Sequence, residues 1–223
     1  MKNQSPTAGI ILAAGSSTRL GKPKQLLQIR GKILIQRIVD AALASDLDRV
    51  LLVLGHRHET ITRTLKQHPA LRDSLPRLGI VVNHRYPEGL SRSLCLGLET
   101  VKDTHPSVMF LLGDQPLIDS AAINDLLTAF SRSKKDILVP AQGAKRGNPA
   151  IFSRRFYPSM MRIQGDAGAR RVIRDNPGCV HLFHTRNPAY FFDIDTESDL
   201  TVWQTRFDPK KTCQEPDLNP ESF

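Results

Sequence analysis

Two rhythms of apolar residues alternate along this chain. Short, nearly continuous apolar runs suit buried strands, and between them lie stretches whose apolar positions recur every three or four residues, as on one face of a helix. The strand-like runs are Ala8 to Leu12, Arg49 to Leu54, Gly79 to Val82, Val108 to Leu112 and Ile137 to Val139, with two more expected near Val180 to Phe183 and at Tyr190 to Asp193. Helical spacing covers Ile33 to Ala44, Glu59 to Lys66, Leu90 to Val101, Ala121 to Phe130, Ala167 to Arg174 and Glu197 to Arg206. This is the order of βαβ units, so the pattern predicts an α/β fold, with Val108 to Leu112 central because it carries no polar residue. No repeat and no second domain is visible. Residues 1–207 read as one domain, and 208–223, with Pro209, Pro216 and Pro220 among charged residues, as a flexible tail.

The first strand runs straight into a loop of small and cationic residues. After Leu12, the residues Ala13, Ala14 and Gly15 remove side-chain bulk, so backbone N–H groups can approach a ligand closely. Ser16, Ser17 and Thr18 add hydroxyls, and Arg19, Lys22 and Lys24 add charge, a set suited to several phosphate oxygens. Two familiar phosphate loops do not fit. A Walker A loop needs four residues between its glycines and Ser or Thr after its lysine, whereas five separate Gly15 from Gly21 and Pro23 follows Lys22. GxGxxG fails because Gly15 has no glycine two positions on. A basic surface loop is the plain alternative.

Three further clusters carry chemistry. Leu112-Gly-Asp-Gln-Pro116 ends the apolar strand, at the edge where open α/β sheets bind ligands; Asp114 there suits Mg²⁺ on phosphate oxygens, or it simply caps a turn. Asp193 and Asp195, two residues apart in an expected strand, point to one side, while Thr196 and Asp199 form a capping box for the helix that follows. Gly89, Ser91 and Ser93 open a helix and can present donors at its positive end, or serve only as its N-terminal cap.

Composition narrows the alternatives. A chain of 223 residues suffices for one sizeable core. No apolar run nears the roughly 18 residues a membrane span requires, and Met1 to Pro6 has no signal-peptide core, so a cytoplasmic protein is expected. Cys95, Cys179 and Cys213 lack ligand or disulfide spacing, and the first two read as core residues. The net charge of +9 invites nucleic acid, but the basic residues are scattered, aromatics are few and no nucleic-acid motif appears. A solvated basic surface, or attraction of small anionic substrates, accounts for it.

The run Leu12-Ala-Ala-Gly-Ser-Ser-Thr-Arg-Leu-Gly-Lys-Pro-Lys-Gln-Leu-Leu27 resembles the LAAGxSxRxGxxK signature of GT-A-like nucleotidyltransferases, in particular the molybdenum cofactor cytidylyltransferase family. The resemblance extends over about Ala8 to Leu200. It implies a three-layer α/β/α Rossmann-like fold with a mostly parallel mixed sheet. It further implies that Leu12, Ala13, Ala14, Gly15 and Ser16 line the nucleotide pocket with Gly89, Ser91 and Ser93, and that Arg19 and Lys24 neutralise the triphosphate. Asp114 of the GDQP segment and Asp193, in preference to Asp195, would hold Mg²⁺. The segments around Asn148 and from Gly165 to Arg171 would surround the acceptor, with Gln115, Asn148, Asp166 and Arg170 as contacts, although Arg170 or Arg171 could instead pair with Asp166. Where the family reads DIDTPEDL, Glu197-Ser198 replaces Pro-Glu, which makes the helix start less rigid. Ala14 in LAAG favours CTP over GTP. The implied reaction moves CMP from CTP to molybdopterin, with a molybdenum hydroxylase as possible partner. A cytidylyltransferase acting on a sugar or polyol phosphate, and a non-catalytic carrier of the cofactor, are the alternatives.

Overall fold

The computed structural model describes residues 5–16, 23–29, 31–67, 76–166 and 168–207. Arg19 and its neighbours 17–22, Ala167 and the expected tail 208–223 lie outside the described residues.

Strand β1 (Thr7–Ala13) is buried along its whole length, beside the middle strand of the sheet. It pairs in parallel with β4 (Arg49–Leu54) on one side and with β6 (Ser107–Leu112) on the other. Beyond β4 lies β5 (Leu78–Val82), also parallel. Beyond β6 lies β9 (Ala150–Ser153), antiparallel to β6 and to β7 (Ile137–Gln142), and β10 (Val180–His184) closes that side parallel to β7. With β8 (Lys145–Arg146) paired to β7, this makes an eight-stranded, mostly parallel mixed sheet in the order β10-β7-β9-β6-β1-β4-β5. A small antiparallel pair, β2 (Gln28–Ile29) and β3 (Lys32–Ile33), stands apart.

Helices cover both faces, which is why the central strands read as unbroken apolar runs. Helices α1 (Leu34–Leu43), α2 (His58–Lys66) and α4 (Ser120–Arg132) bury Ile35, Ile38, Ile61, Ile123 and Leu126 against Ile11, Leu52 and Leu111. On the other face, α3 (Leu90–Val101), α5 (Tyr157–Met160) and α6 (Arg170–Asp175) pack Leu94, Leu98, Met160 and Val172 onto Ile10, Val53 and Phe110. A third cluster joins Ile194 and Trp203, of α7 (Glu197–Arg206), to Leu27, Ile29 and Leu34. No helix among the described residues is long and apolar enough to cross a membrane.

The structure corrects three expectations. Tyr190 to Asp193 is not a strand: Tyr190 closes a 3-10 turn, Pro188–Tyr190, and residues 191–195 join no ladder. Asn187 caps that turn by accepting the Ala189 N–H at 3.0 Å, and Tyr190 is drawn into the core, where its hydroxyl donates to the Ala122 carbonyl at 3.1 Å. The helix expected from Ala167 begins at Arg170. Cys95 and Cys179 are half-buried, not core residues; Cys95 sits on the flank of α3 with its thiol 3.7 Å from the carbonyls of Met160 and Met161. Strand β9, unread in the sequence, is only four residues long.

Candidate active site

Parallel register brings the two chemical loops together. Leu12 of β1 lies beside Val53 on one side and Leu112 on the other, so the segments that follow β1 and β6 emerge from the same sheet edge, side by side. The strands flanking β1 lead their chains to opposite sides, and a crevice opens at this edge. Gly113 makes the approach possible: it donates its N–H to the Leu12 carbonyl at 3.0 Å, and a Cβ on it would come within 2.8 Å of Ala13 Cβ. Asp114 is thereby delivered next to the start of the glycine loop.

A cavity of about 610 Å³ occupies the crevice. Its walls include Leu12, Ala13, Ala14, Gly15 and Ser16 from the first loop, Gly89 and Ser93 from the start of α3, and Lys24, Asp114, Asp193 and Asp195. Asp166 and Arg170 stand at its boundary with a smaller, apolar chamber of about 180 Å³, which Asn148 also lines together with Leu94, Phe110 and Phe152. The nucleotide, metal and acceptor residues expected from sequence thus gather around two adjoining spaces, with three exceptions. Arg19 lies outside the described residues. Ser91 is buried and is not on the wall. Gln115 is buried beneath the wall, 3 % exposed, and its Oε1 meets no hydrogen-bond partner among the described residues.

At the start of α3 the donors are already engaged. Leu90 donates its N–H to Asp166 Oδ1 at 3.0 Å, Ser91 donates its N–H to the Gly165 carbonyl at 3.0 Å, and Ser93 Oγ accepts from Asn83 Nδ2 at 2.9 Å. Gly89, at φ 111°, permits this close strap: a Cβ there would lie 2.7 Å from the Gly165 carbonyl carbon. Asp166 therefore pairs with the helix start rather than with an arginine. Arg171 lies 3.5 Å from Asp175, and Arg170 forms no ion pair among the described residues.

The acidic cluster is assembled from distant parts of the chain. Facing oxygens of Asp114, Asp193 and Asp195 all lie within 4.8 Å of one another. Ile194 is fully buried between Leu27, Leu34 and Trp203, and its N–H donates to the Asp114 carbonyl at 3.0 Å, which leaves its two neighbours facing the cavity. The expected pairing of Asp193 with Asp195 on one side is present, but a buried anchor sets it instead of a sheet ladder. The Thr196–Asp199 capping box then fixes the backbone: Asp199 Oδ2 accepts the N–H groups of Asp195 at 3.1 Å and Thr196 at 2.8 Å.

Lys24 Nζ lies 2.7 Å from Asp114 Oδ2 and 2.6 Å from Asp195 Oδ1. Burial, the largest single influence, lowers the Lys24 pKa, but attraction to and hydrogen bonds with these two carboxylates outweigh it, and the net shift is upward. Asp193 moves up as well, first through partial desolvation and then through repulsion by Asp114 and Asp195, with Lys24 opposing. Gln25, whose role the sequence did not disclose, is buried and donates Nε2 to the Gly15 carbonyl at 2.9 Å and the Ala13 carbonyl at 3.2 Å. It ties the exit of the loop back to its entrance; its place directly after Lys24 in the motif was the available signal.

The donor set fits a hard divalent cation. Three carboxylates converge, and Asp114 Oδ1 is buried without a hydrogen-bond partner among the described residues, an arrangement that costs free energy unless a cation or water meets it. A nucleotide triphosphate in the adjoining cavity would face the small-residue loop and this cluster together.

Comparison with known proteins agrees with the geometry. The chain is 29 % identical over 199 residues to the nicotine blue oxidoreductase of Paenarthrobacter nicotinovorans, covering 86 % of this chain and 93 % of that protein. It is 26 % identical over 196 residues to the purine catabolism protein PucB of Bacillus subtilis strain 168, covering 87 % and 94 %. The structure of Rv0371C from Mycobacterium tuberculosis H37Rv, solved in complex with manganese, superposes with a TM-score of 0.71 at 25 % identity over 91 % of this chain and 100 % of that one. The profile of the MobA-like NTP transferase domain spans residues 9–181, from within β1 to the start of β10, and so takes in the glycine loop, the GDQP turn and the strapped start of α3; the chain belongs to the MobA-like NTP transferase domain family.

Proposed function

We propose that this protein transfers CMP from CTP to the terminal phosphate of molybdenum-bearing molybdopterin and releases pyrophosphate, in the maturation of molybdenum hydroxylases. The observation that carries the reading is the meeting of the Asp114, Asp193 and Asp195 carboxylates with the small-residue loop in one cavity. A carrier has no need of such a cluster. Family membership supports nucleotidyl transfer, and the LAAG form of the loop supports CTP.

An acceptor phosphate oxygen attacks the α-phosphorus in line, and the bond from that phosphorus to the bridging oxygen of pyrophosphate breaks. A phosphate monoester is already an anionic nucleophile, so the chain contributes position and charge rather than proton transfer. Mg²⁺ held by Asp114 and Asp193 supplies Lewis-acid neutralisation of the reacting phosphates. Loop N–H groups, Arg19 and Lys24 bind the triphosphate. Arg170, without an ion-pair partner among the described residues, lies at the boundary of the two chambers and takes the acceptor phosphate.

The smaller chamber favours a ring-bearing acceptor. Its walls are mostly apolar, with Leu90, Phe110, Phe152 and Ile173 among them, and Asn148, Asp166 and Arg170 are its polar side chains. A flat heterocycle keeps its faces on this apolar surface and turns its polar edge to these few side chains, whereas a polyol chain carries hydroxyls along its whole length.

The test is pyrophosphate release by the purified protein with Mg²⁺, molybdenum-loaded molybdopterin and each of CTP, GTP, ATP and UTP. Release with CTP alone is the expected result. Release with GTP instead overturns the base assignment. Release only with a sugar or polyol phosphate as acceptor overturns the pterin assignment. Redox conversion of nicotine blue without release, the activity that the name of the nicotine blue oxidoreductase suggests, overturns nucleotidyl transfer.

A further inference from the structure

Lys24 has two uses in this site that exclude each other. As the last cation of the glycine-loop motif it is assigned to the triphosphate. In the structure its ammonium instead sits between Asp114 Oδ2 and Asp195 Oδ1, at 2.7 and 2.6 Å, with a side chain only 17 % exposed. Those distances are of charge-assisted hydrogen bonds, and the oxygens belong to the three-carboxylate cluster that fits a divalent cation. The ammonium therefore already neutralises two of the three carboxylates that a divalent cation would use.

Simple electrostatics decides whether both charges fit. A divalent cation and an ammonium held a few ångströms apart by the same carboxylates repel each other. Sharing the cluster is thus costly, whereas a triphosphate offers the ammonium a new set of oxygens. Lysine suits such an exchange, since it is a point charge on a flexible four-carbon stem, unlike the planar fork of arginine. Its backbone meanwhile stays in place. Lys24 opens the 3-10 turn Lys24–Leu26, and the Gln25 side chain clamps that turn to the Ala13 and Gly15 carbonyls, so the stem pivots from a fixed point on the cavity wall.

We propose that Lys24 is a displaceable internal counter-ion: in the ligand-free protein its ammonium holds the position of the divalent cation, and it transfers to the triphosphate when metal and nucleotide enter together. The inference rests on the reading of the cavity as a metal and nucleotide site and adds a coupling between the two ligands. Metal alone must drive the ammonium off two carboxylates and brings no anionic partner of its own for it. Nucleotide supplies that partner, and by linkage each ligand strengthens the other. The arrangement also protects the empty cluster, since three carboxylates without a counter-ion would repel one another.

The experiment is Mn²⁺ titration followed by electron paramagnetic resonance, on wild type and Lys24→Met, with and without a non-hydrolysable CTP analogue. Folding of each variant is checked by circular dichroism. Binding of Mn²⁺ by wild type in the presence of the analogue supports the underlying site, whatever Lys24 does. Without nucleotide, Lys24→Met is expected to bind Mn²⁺ at least about fivefold more tightly than wild type, and the gain in affinity that the analogue brings is expected to shrink by a similar factor. Equal or weaker binding by Lys24→Met without nucleotide overturns the exchange while leaving the metal site standing. No Mn²⁺ binding by wild type under any condition overturns both. Should Lys24→Met fail to fold, Lys24→Arg gives the opposite test: a guanidinium grips two carboxylates more firmly, so Mn²⁺ binding without nucleotide should fall below wild type, and an unchanged or raised affinity sinks the proposal.

Discussion

Ile194 donates its backbone N–H to the carbonyl of Asp114 at 3.0 Å while its side chain is fully buried. One residue thus joins the end of the central sheet to the segment that carries Asp193 and Asp195. The cluster is held from behind by apolar packing, and the carboxylates are brought close at the expense of that packing rather than by any attraction among themselves.

Shortening this anchor should therefore damage metal binding and stability together. Ile194→Ala is expected to cost about 2–5 kcal/mol, and Ile194→Val about 0.5–1.5 kcal/mol. Thermal melts measure the cost. At a temperature where both variants remain folded, Mn²⁺ titration should show clear weakening for Ile194→Ala and near wild-type binding for Ile194→Val. Full metal affinity in a destabilised Ile194→Ala would show that the segment is positioned by something else.

Asp114 lies where the sheet edge, the orphaned oxygen and the lysine meet. Asp114→Asn keeps the shape of the side chain but removes a ligand charge, so turnover in the pyrophosphate assay should fall by about 10²–10³. The fold should persist, because the amide still fits the same turn. Turnover near wild type would dissociate Asp114 from the reaction.

Much of this was readable from the chain, and the unread parts share a cause. Arg49–Leu54 and Leu90–Val101 have the bounds their apolar patterns predict, because local pattern and tertiary burial agree there, and Glu197–Arg206 starts where its Thr196–Asp199 capping box predicts. Asp114 was findable because a Gly-Asp pair follows a wholly apolar strand. Strand β9 was not: its four residues stand between Pro149 and two arginines, and only the gap between β6 and β7 makes them a strand. The Tyr190 segment failed because an aromatic run looks like a strand, whereas the tyrosine hydroxyl seeks the Ala122 carbonyl across the core. The Lys24 contacts bridge separations of 90 and 171 residues, which no local pattern encodes.

Asp199 makes the helix cap pH-dependent. Slight desolvation is the largest single influence and raises its pKa, but hydrogen bonds from Thr196 and the backbone of Asp195 and Thr196 outweigh it, so the net shift is downward. A depressed folded-state pKa means a contribution that is complete above the ordinary carboxylate value, about 3.9, and is lost as pH falls through the folded value. Asp199→Ala should cost about 1 kcal/mol at neutral pH. The gap in melting temperature between wild type and variant should stay constant from about pH 8 to 5 and narrow below about pH 4. A gap that persists at pH 3 would mean that the carboxylate charge contributes nothing to the cap.

On the proposed reading, base choice turns on the packing of Ala14. Its carbonyl accepts the His56 N–H at 3.1 Å, and a Cβ on Gly55 would meet Ala14 Cβ at 2.8 Å, so the methyl fills a tight corner of the cavity wall. Ala14→Gly opens that corner and should raise the GTP-to-CTP ratio of kcat/KM by about tenfold, the scale of a single methyl in a pocket. Competition between the two nucleotides in the pyrophosphate assay measures it. An unchanged ratio would remove Ala14 as the determinant.

Asp193 offers the converse of the Asp199 case. Its pKa is raised by partial desolvation and by repulsion from Asp114 and Asp195, so the folded protein holds its proton more readily than the unfolded chain. A raised folded-state value gives stability that is present below the unfolded pKa and lost as pH rises through the folded one; at neutral pH the ionised carboxylate is therefore a net cost. Asp193→Asn should melt higher than wild type at pH 7.5 in the presence of a chelator. Because the side chain reaches solvent, the gain should stay under about 1 kcal/mol, or under about 4 °C for a chain of this size. Below about pH 4, where both side chains are neutral, the difference should vanish. With Mn²⁺ and the CTP analogue added, the order should reverse, since wild type alone keeps the full ligand set and gains the stabilisation of binding. A variant that melts below wild type in chelator would show that Asp193 belongs to the structural framework and not to a site that trades stability for charge.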